Sequence, residues 1–380
     1  MKMYLQHYFN PDFDYLQLQP IVSVKGQADL YNLGYVQNVV KGQVIAEMIP
    51  LEAIENPIPR FVLEQEKFPQ GPNTYIDPAY PHYLLSDVNG YVFYYNGKIS
   101  VKKVLNVRSN VDFHTGNIAF VGDVMVHKDV KAGFQLQANT IIINGMVEGG
   151  EVRSRKDMKI IGGARGGVSN RCLLSSGGSL HVNFTEKVEL RSKKRMIVER
   201  FCMQCKVYAE ESFIVSGLVA GGIIQVSKHV FIKEKLGNTS GIPTHIFLGY
   251  NPFLLRKLES CDNSLGILSE KITNYKTIID QSSSSTDEIH QKLEEVVQQH
   301  NQLSKYRNTI WKLLQLDEAK AFSCRLVVPG IVYPGVELSI GNASFSVKEE
   351  LNNVCFRLHE NEIIYESVPA TLLPFFFNNE

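Results

Sequence analysis

Residues 124–167 read VMVHKDVKAGFQLQANTIIINGMVEGGEVRSRKDMKIIGGARGG, and one short pattern occurs three times inside them. Val124/Val126, Ile141/Ile143 and Met158/Ile160 are apolar-x-apolar doublets spaced 17 residues apart. Residues two apart in a strand share a face, so each doublet presents both side chains to one side. After a five-residue insertion the beat resumes with Leu180/Val182, Met196/Val198, Phe213/Val215, Val230/Ile232 and Ile246/Leu248, at steps of 16 or 17. Gly133, Gly150 and Gly167 keep the same interval, and so do Gly145 and Gly162. Such a unit is too short for a helix plus a crossover and too short to bury a core alone. Stacked coils of a parallel β-solenoid meet both limits, because each coil closes the apolar column of the next.

The pattern changes downstream of the coils. From Leu258, residues 258, 261, 265, 268, 272, 275 and 279 (Leu, Cys, Leu, Leu, Ile, Tyr, Ile) follow a 3-4 alternation, the seam of a coiled coil. Ser282 to Ser285 interrupt it, and Ser285-Thr286-Asp287-Glu288 reads as a capping box in which Glu288 reaches back to the cap. A second seam runs through 289, 293, 296, 300, 303, 307, 310 and 314, with polar His300 and Arg307 upon it. Two helices around a four-serine turn make an antiparallel hairpin. Strand-like alternation then returns from Phe322 to Tyr365, as further coils or a sheet that closes the solenoid. The hairpin is therefore an insertion into the β-fold. Upstream, IVSVKGQADL, KGQVIAEMIP and YPHYLLSDVNGYVFYYNGKISVKKV read as strands, with turns at Asn89-Gly90 and Asn96-Gly97, and PLEAIENPIPRFVLEQEKF as a short helix between prolines. The expected organisation is a small N-terminal domain, α/β or mostly β, over 1–104, the solenoid over 105–250, the hairpin over 251–318, and a C-terminal return to the solenoid over 319–380.

Lys+Arg and Asp+Glu both number 39, so the chain is neutral and nucleic acid is not an evident partner. The charge is uneven. Residues 151–195 carry eleven basic side chains against four acidic, while 1–98 carry six basic against ten acidic. Stacking places residues one coil apart above each other, so the basic residues form either a solvated face or a stripe that docks an acidic partner or anionic lipid. No signal peptide is evident at the start, no apolar run approaches the ~20 residues that span a bilayer, and six scattered cysteines make no disulfide framework. These features fit a reduced, cytoplasmic protein.

Catalytic and metal-binding patterns are weak. Cys202-Met203-Gln204-Cys205 lacks the second ligand pair of a zinc site, so its cysteines read as structural. Gly162-Gly163-Ala164-Arg165-Gly166-Gly167 has glycine in common with a phosphate-cradling loop but no following Gly-Lys-Ser/Thr, and reads as a coil corner where glycine supplies positive φ. A carbohydrate-cleaving β-helix needs carboxylates converging on a groove, whereas Asp112, Asp123, Asp129, Glu148, Glu151 and Asp157 do not recur on one face at the coil period. No catalytic residue, cofactor or metal is assigned. Candidate contact residues for partners are Arg191, Lys193, Lys194 and Arg195 in the basic stretch, and Phe375, Phe376 and Phe377 in the apolar tail, which offers a cap for the last coil.

The run Asn110-Val111-Asp112-Phe113-His114-Thr115-Gly116-Asn117-Ile118-Ala119-Phe120-Val121-Gly122-Asp123-Val124 resembles the entry to the solenoid of the flagellar assembly protein A (FapA-like) family. Gly145-Met146-Val147-Glu148-Gly149-Gly150, the glycine corner at 162–166, Thr244-His245-Ile246-Phe247-Leu248-Gly249 and Val332-Tyr333-Pro334-Gly335-Val336-Glu337-Leu338 resemble later family segments in the same order. In the N-terminal region the family's usual glycine-rich stretch is replaced by NPIPRFVLEQEKFPQGPN. The resemblance implies a right-handed solenoid with a projecting helical pair in a non-enzymatic bacterial protein. It further implies a polymerising domain that self-associates and protein partners in the flagellar or polar machinery. The other function classes considered are a carbohydrate-active β-helix enzyme and a regulator that binds an anionic ligand.

Overall fold

A computed structural model describes residues 2–18, 21–22, 28–29, 31–168, 170–281 and 287–369. The chain separates into two compact units, Met1–Lys193 with Ile197–Cys202, and Lys194–Met196 with Met203–Glu380. It forms a parallel β-solenoid, mostly β, with two helices inserted near its C-terminal end.

In the first unit each coil contributes three strands, one to each of three faces. Asp123–Val126, Ile141–Ile143, Met158–Ile160 and Leu180–Val182 stack in parallel on one face. Met146–Glu148, Gly163–Arg165 and Thr185–Glu186 form the second. Gln135–Ala138, Glu151–Ser154, Cys172–Ser176 and Val188–Ser192 form the third. The 17-residue beat is thus the circumference of a coil, since Ile141 pairs with Met158 and Ile143 with Ile160. Val124, Val126, Ile141, Ile143, Met158, Ile160, Leu180 and Val182 are all at most 2 % exposed. Each such side chain contributes about 1.5–3 kcal/mol through burial. The five extra residues lie at the corner between Arg165 and Cys172, where Val168 is fully exposed and the stack is undisturbed.

One doublet belongs elsewhere than the beat suggests. Ile246/Leu248 does not continue the column of Val230/Ile232: it pairs with Ile224/Val226 and Leu338/Ile340 on another face. The strand above Val230 is Arg325–Val332, delivered after the hairpin. A spacing of 16 residues cannot tell a full coil from a coil whose third strand was displaced by an insertion.

The glycine corner also differs in its cause. Gly163 has φ +108°, but Gly162 is not in the left-handed region. A Cβ on Gly162 would lie 2.4 Å from the Gly145 carbonyl oxygen of the coil before it. Close approach of stacked backbones, more than positive φ, fixes this residue type.

The N-terminal region is β-structured. Val62–Leu63, Met3–His7, Val44–Pro50, Tyr83–Ser86 and Thr74–Ile76 form one antiparallel sheet, and Lys98–Lys102, Gly90–Tyr95 and Asn38–Val39 another. The expected helix is replaced by two single 3-10 turns, Leu51–Ala53 and Pro59–Phe61, so α/β is corrected to β for the described part. Pro50, Pro57 and Pro59 leave no run long enough for an α-helical nucleus. Asn96-Gly97 is a hairpin turn, with φ of 49° and 71°. Asn89-Gly90 is not. Gly90 is extended inside a strand, and a Cβ there would lie 2.2 Å from the Lys102 carbonyl oxygen. This region also closes the first coils. The Asn38 side chain donates to the Ala119 carbonyl (2.8 Å) and accepts from the Val121 N–H (3.0 Å). The Tyr31 ring packs 5.3 Å from Phe134, and Tyr91 lies 6.0 Å from Phe120.

In the second unit the strand Thr244–Leu248 leads into helix α1 (Pro252–Gln281), which is paired with helix α2 (Asp287–Asp317) before the chain rejoins the sheet. Asn251 caps α1, accepting from Phe253 N–H at 2.9 Å, with Pro252 in the first helical position, where no N–H is missed. Every predicted seam residue of α1, and of α2 from Ile289 to Leu314, is buried or half-buried. Arg307 donates to Asp262 of α1 at 2.6 Å, which answers its charge across the hairpin. The cap residues Ser285 and Thr286 and the serine turn lie outside the described residues, and Glu288 accepts from Lys292 at 2.6 Å. The last parallel strands are then covered by antiparallel ones. Ala343–Ser346 pairs with Val336–Ile340, Leu351–His359 with Arg325–Val332, and Glu362–Ser367 with Leu351–His359. The closing element is a sheet, not further coils, and Phe375, Phe376 and Phe377 fall outside the described residues.

Candidate interaction surfaces

The outward side chains of the coils decide what the basic stretch offers. Parallel register stacks Glu148, Arg165 and Glu186 in one ladder, and Arg165 Nε donates to Glu186 at 2.9 Å. Gln137, Arg153, Ser175 and Arg191 form a second, Gln135, Glu151, Leu173 and Glu189 the adjacent one. Arg153 is held by Glu151, and Glu189 accepts from both Arg171 and Arg191. His181 meets Glu199, and Lys131 bridges Asp129 and Glu148. Arg153, Arg165, Arg171 and Arg191 are thus each paired with a carboxylate of these coils.

The predicted contact residues are divided by this pattern. Arg191, half-buried on Val188–Ser192, is already committed to Glu189. Lys193 and Lys194 are exposed in the turn that follows, and Arg195 opens the next strand half-buried.

Three of the six early carboxylates serve the backbone of a neighbouring coil. Asp123 accepts from Thr140 N–H (3.0 Å), Asp129 from Met146 N–H (2.8 Å) and Asp157 from Ser179 N–H (2.7 Å), each one coil onward. Asp112 caps its own turn through His114 N–H, while Glu148 and Glu151 are ion-paired. Burial opposes ionisation of Asp129, but hydrogen bonds from Lys131 and Met146 outweigh it and hold the carboxyl below the usual carboxylate range. Asn110 and Asn117 do the same work, accepting from Asp129 and Gln135 N–H. Sequence reading missed this corner role, although an Asp or Asn at recurrent corner positions was its visible signal. All six cysteines are buried and outside any disulfide, and among the described residues no group of three or more His, Cys, Asp or Glu is placed to hold a metal ion. Among those residues no helix is long and apolar enough to cross a membrane.

Residues 103–363 match the model of the Flagellar Assembly Protein A beta solenoid domain. The chain belongs to this family. The match runs from the start of the first coil, through the inserted hairpin, into the closing antiparallel strands, and leaves the N-terminal sheets outside it. No curated protein and no solved structure matches the chain.

Proposed function

We propose that this chain is a non-enzymatic cytoplasmic scaffold of flagellar assembly or cell-pole organisation, acting through protein–protein contacts and self-association. The family match over 103–363 carries the reading, because it embraces both the coils and the hairpin. The chemistry fits: corner carboxylates are consumed by backbone N–H groups and ion pairs, which leaves the stack as a rigid support. The hairpin is the natural coiled-coil arm for contacts, and Lys193, Lys194 and Arg195 with the tail Phe375, Phe376 and Phe377 are the candidate anchors. Reversing Lys193, Lys194 and Arg195 to Glu should weaken capture of acidic partners by cross-linking in cells, and added salt should do the same in extracts. Unchanged cross-linked species, together with normal flagella and pole placement in a strain lacking the gene, would count against the proposal.

A further inference from the structure

The outer face of the strand Gly90–Tyr95 carries a feature that neither the coils nor the hairpin requires. Val92 and Tyr94 point inward, to the core and to His7, so Tyr91, Phe93 and Tyr95 form a row on the opposite face. Their ring centroids are spaced 5.4 and 6.5 Å apart. The row opens progressively: Tyr91 leans on buried Phe120, Phe93 is half-buried, and Tyr95 is 65 % exposed. Antiparallel pairing sets Lys102 opposite Tyr91, the buried Ser100 opposite Phe93, and Lys98 opposite Tyr95, so the two lysines flank the row on this face. The Lys102 ammonium lies 4.8 Å from the Phe93 ring centroid. Among the described residues none of Lys98, Lys102 and the adjacent Lys103 makes an ion pair.

We propose that this face binds single-stranded nucleic acid, with bases stacked on Phe93 and Tyr95 and the phosphate backbone running along Lys98 and Lys102. Outward residues of a wet sheet are ordinarily polar, whereas here the open Tyr95 ring is followed in file by the half-covered Phe93 ring, which Lys102 screens. A ring spacing near 6 Å suits successive splayed bases, and every base offers a π-face to such a platform. The lysines on the neighbouring strand lie along one edge of the row, as a chain with bases on one side and anions on the other demands. A neutral glycan would use the rings and leave the lysines idle, and an acidic protein segment would use the lysines without needing a file of rings. The Lys102 ammonium now covers Phe93 and would be drawn off by phosphate as a base takes its place. The region around this face is net acidic, with six basic against ten acidic side chains over 1–98, so affinity rests on the local lysines and rings and not on long-range attraction.

Fluorescence anisotropy of fluorescein-labelled oligo(dT) with the full chain at low salt tests the site. Saturable binding is expected. Loss of one base stack should weaken it by about tenfold or more in Phe93→Ala or Tyr95→Ala. Tyr95→Phe should retain binding, Lys98→Ala with Lys102→Ala should flatten the salt dependence, and Tyr80→Ala, at an exposed tyrosine outside the row, should change nothing. Tyr95 is solvent-exposed, so its replacement leaves the fold intact, which an unchanged circular dichroism melt confirms. No saturable binding, binding indifferent to both aromatic replacements, or equal competition by a sulfated polysaccharide that ignores Tyr95→Ala would each overturn the proposal. None of these outcomes bears on the scaffold reading, which depends on other residues.

Discussion

Ile143 sits fully buried between Val126 and Ile160, the residues that precede and follow it in its column. A carboxylate there finds no donor, because the column is aliphatic on both sides. Ile143→Asp should cost at least about 3 kcal/mol and lower the thermal midpoint by many degrees. A variant that melts within a degree or two of the parent would mean the column is not continuous. His7 provides a second residue-level test. It is largely buried among Phe9, Phe61 and Tyr94, and burial, followed by the nearby Arg60 charge, lowers its pKa from 6.5 to about 4. The folded state therefore holds His7 neutral while the unfolded chain takes up a proton below 6.5, so stability falls as pH drops from 6.5 towards 4. In His7→Phe that component of the pH dependence should vanish, as a melt series across the window would register. Residue identity made the column legible because period-2 alternation marks burial directly. It did not make His7 legible, since a lone histidine in an aromatic-rich strand carries no pattern.

At the scale of elements, the hairpin separates cleanly from the sheet it interrupts. Thr244–Leu248 pairs with residues 222–226 and Arg325–Val332 with residues 229–231, so the strands on either side of the insertion find partners without it. Leu258, Cys261, Ile310 and Leu314 bury one another where the helices begin and end, and Arg256 stacks 4.6 Å over Tyr208. Replacing residues 253–317 with a short Gly/Ser linker should remove the helical circular dichroism and leave a soluble β-protein. Collapse of the β signal would show that the helices support the sheet. The helices were readable because a 3-4 alternation persists for seven positions in α1 and eight in α2. The fate of Ile246/Leu248 was not, because the sequence marks where a strand lies and not which face receives it. Nor could composition show which charges meet: Glu186 and Glu189 are few in number, but register places them beside Arg165, Arg171 and Arg191.

At the scale of the whole molecule, each unit carries non-solenoid structure against its coils. Sheets and loops of the N-terminal region cover the first coils through Asn38, Tyr31 and Tyr91. Antiparallel strands from Ala343 to Ser367 cover the last. Open strand edges recruit other chains, so this finish limits strand-by-strand growth to the rims that remain. It also governs how such a protein changes length over generations. Duplicating a terminal coil would tear it from its cover, whereas duplicating residues 141–157 would slip a new rung between Ile141 and Met158, which already lie one above the other. The first unit's ladder is thus extensible between its coils, and lineages with longer or shorter solenoids should differ by whole rungs inserted there, with the N-terminal cover unaltered.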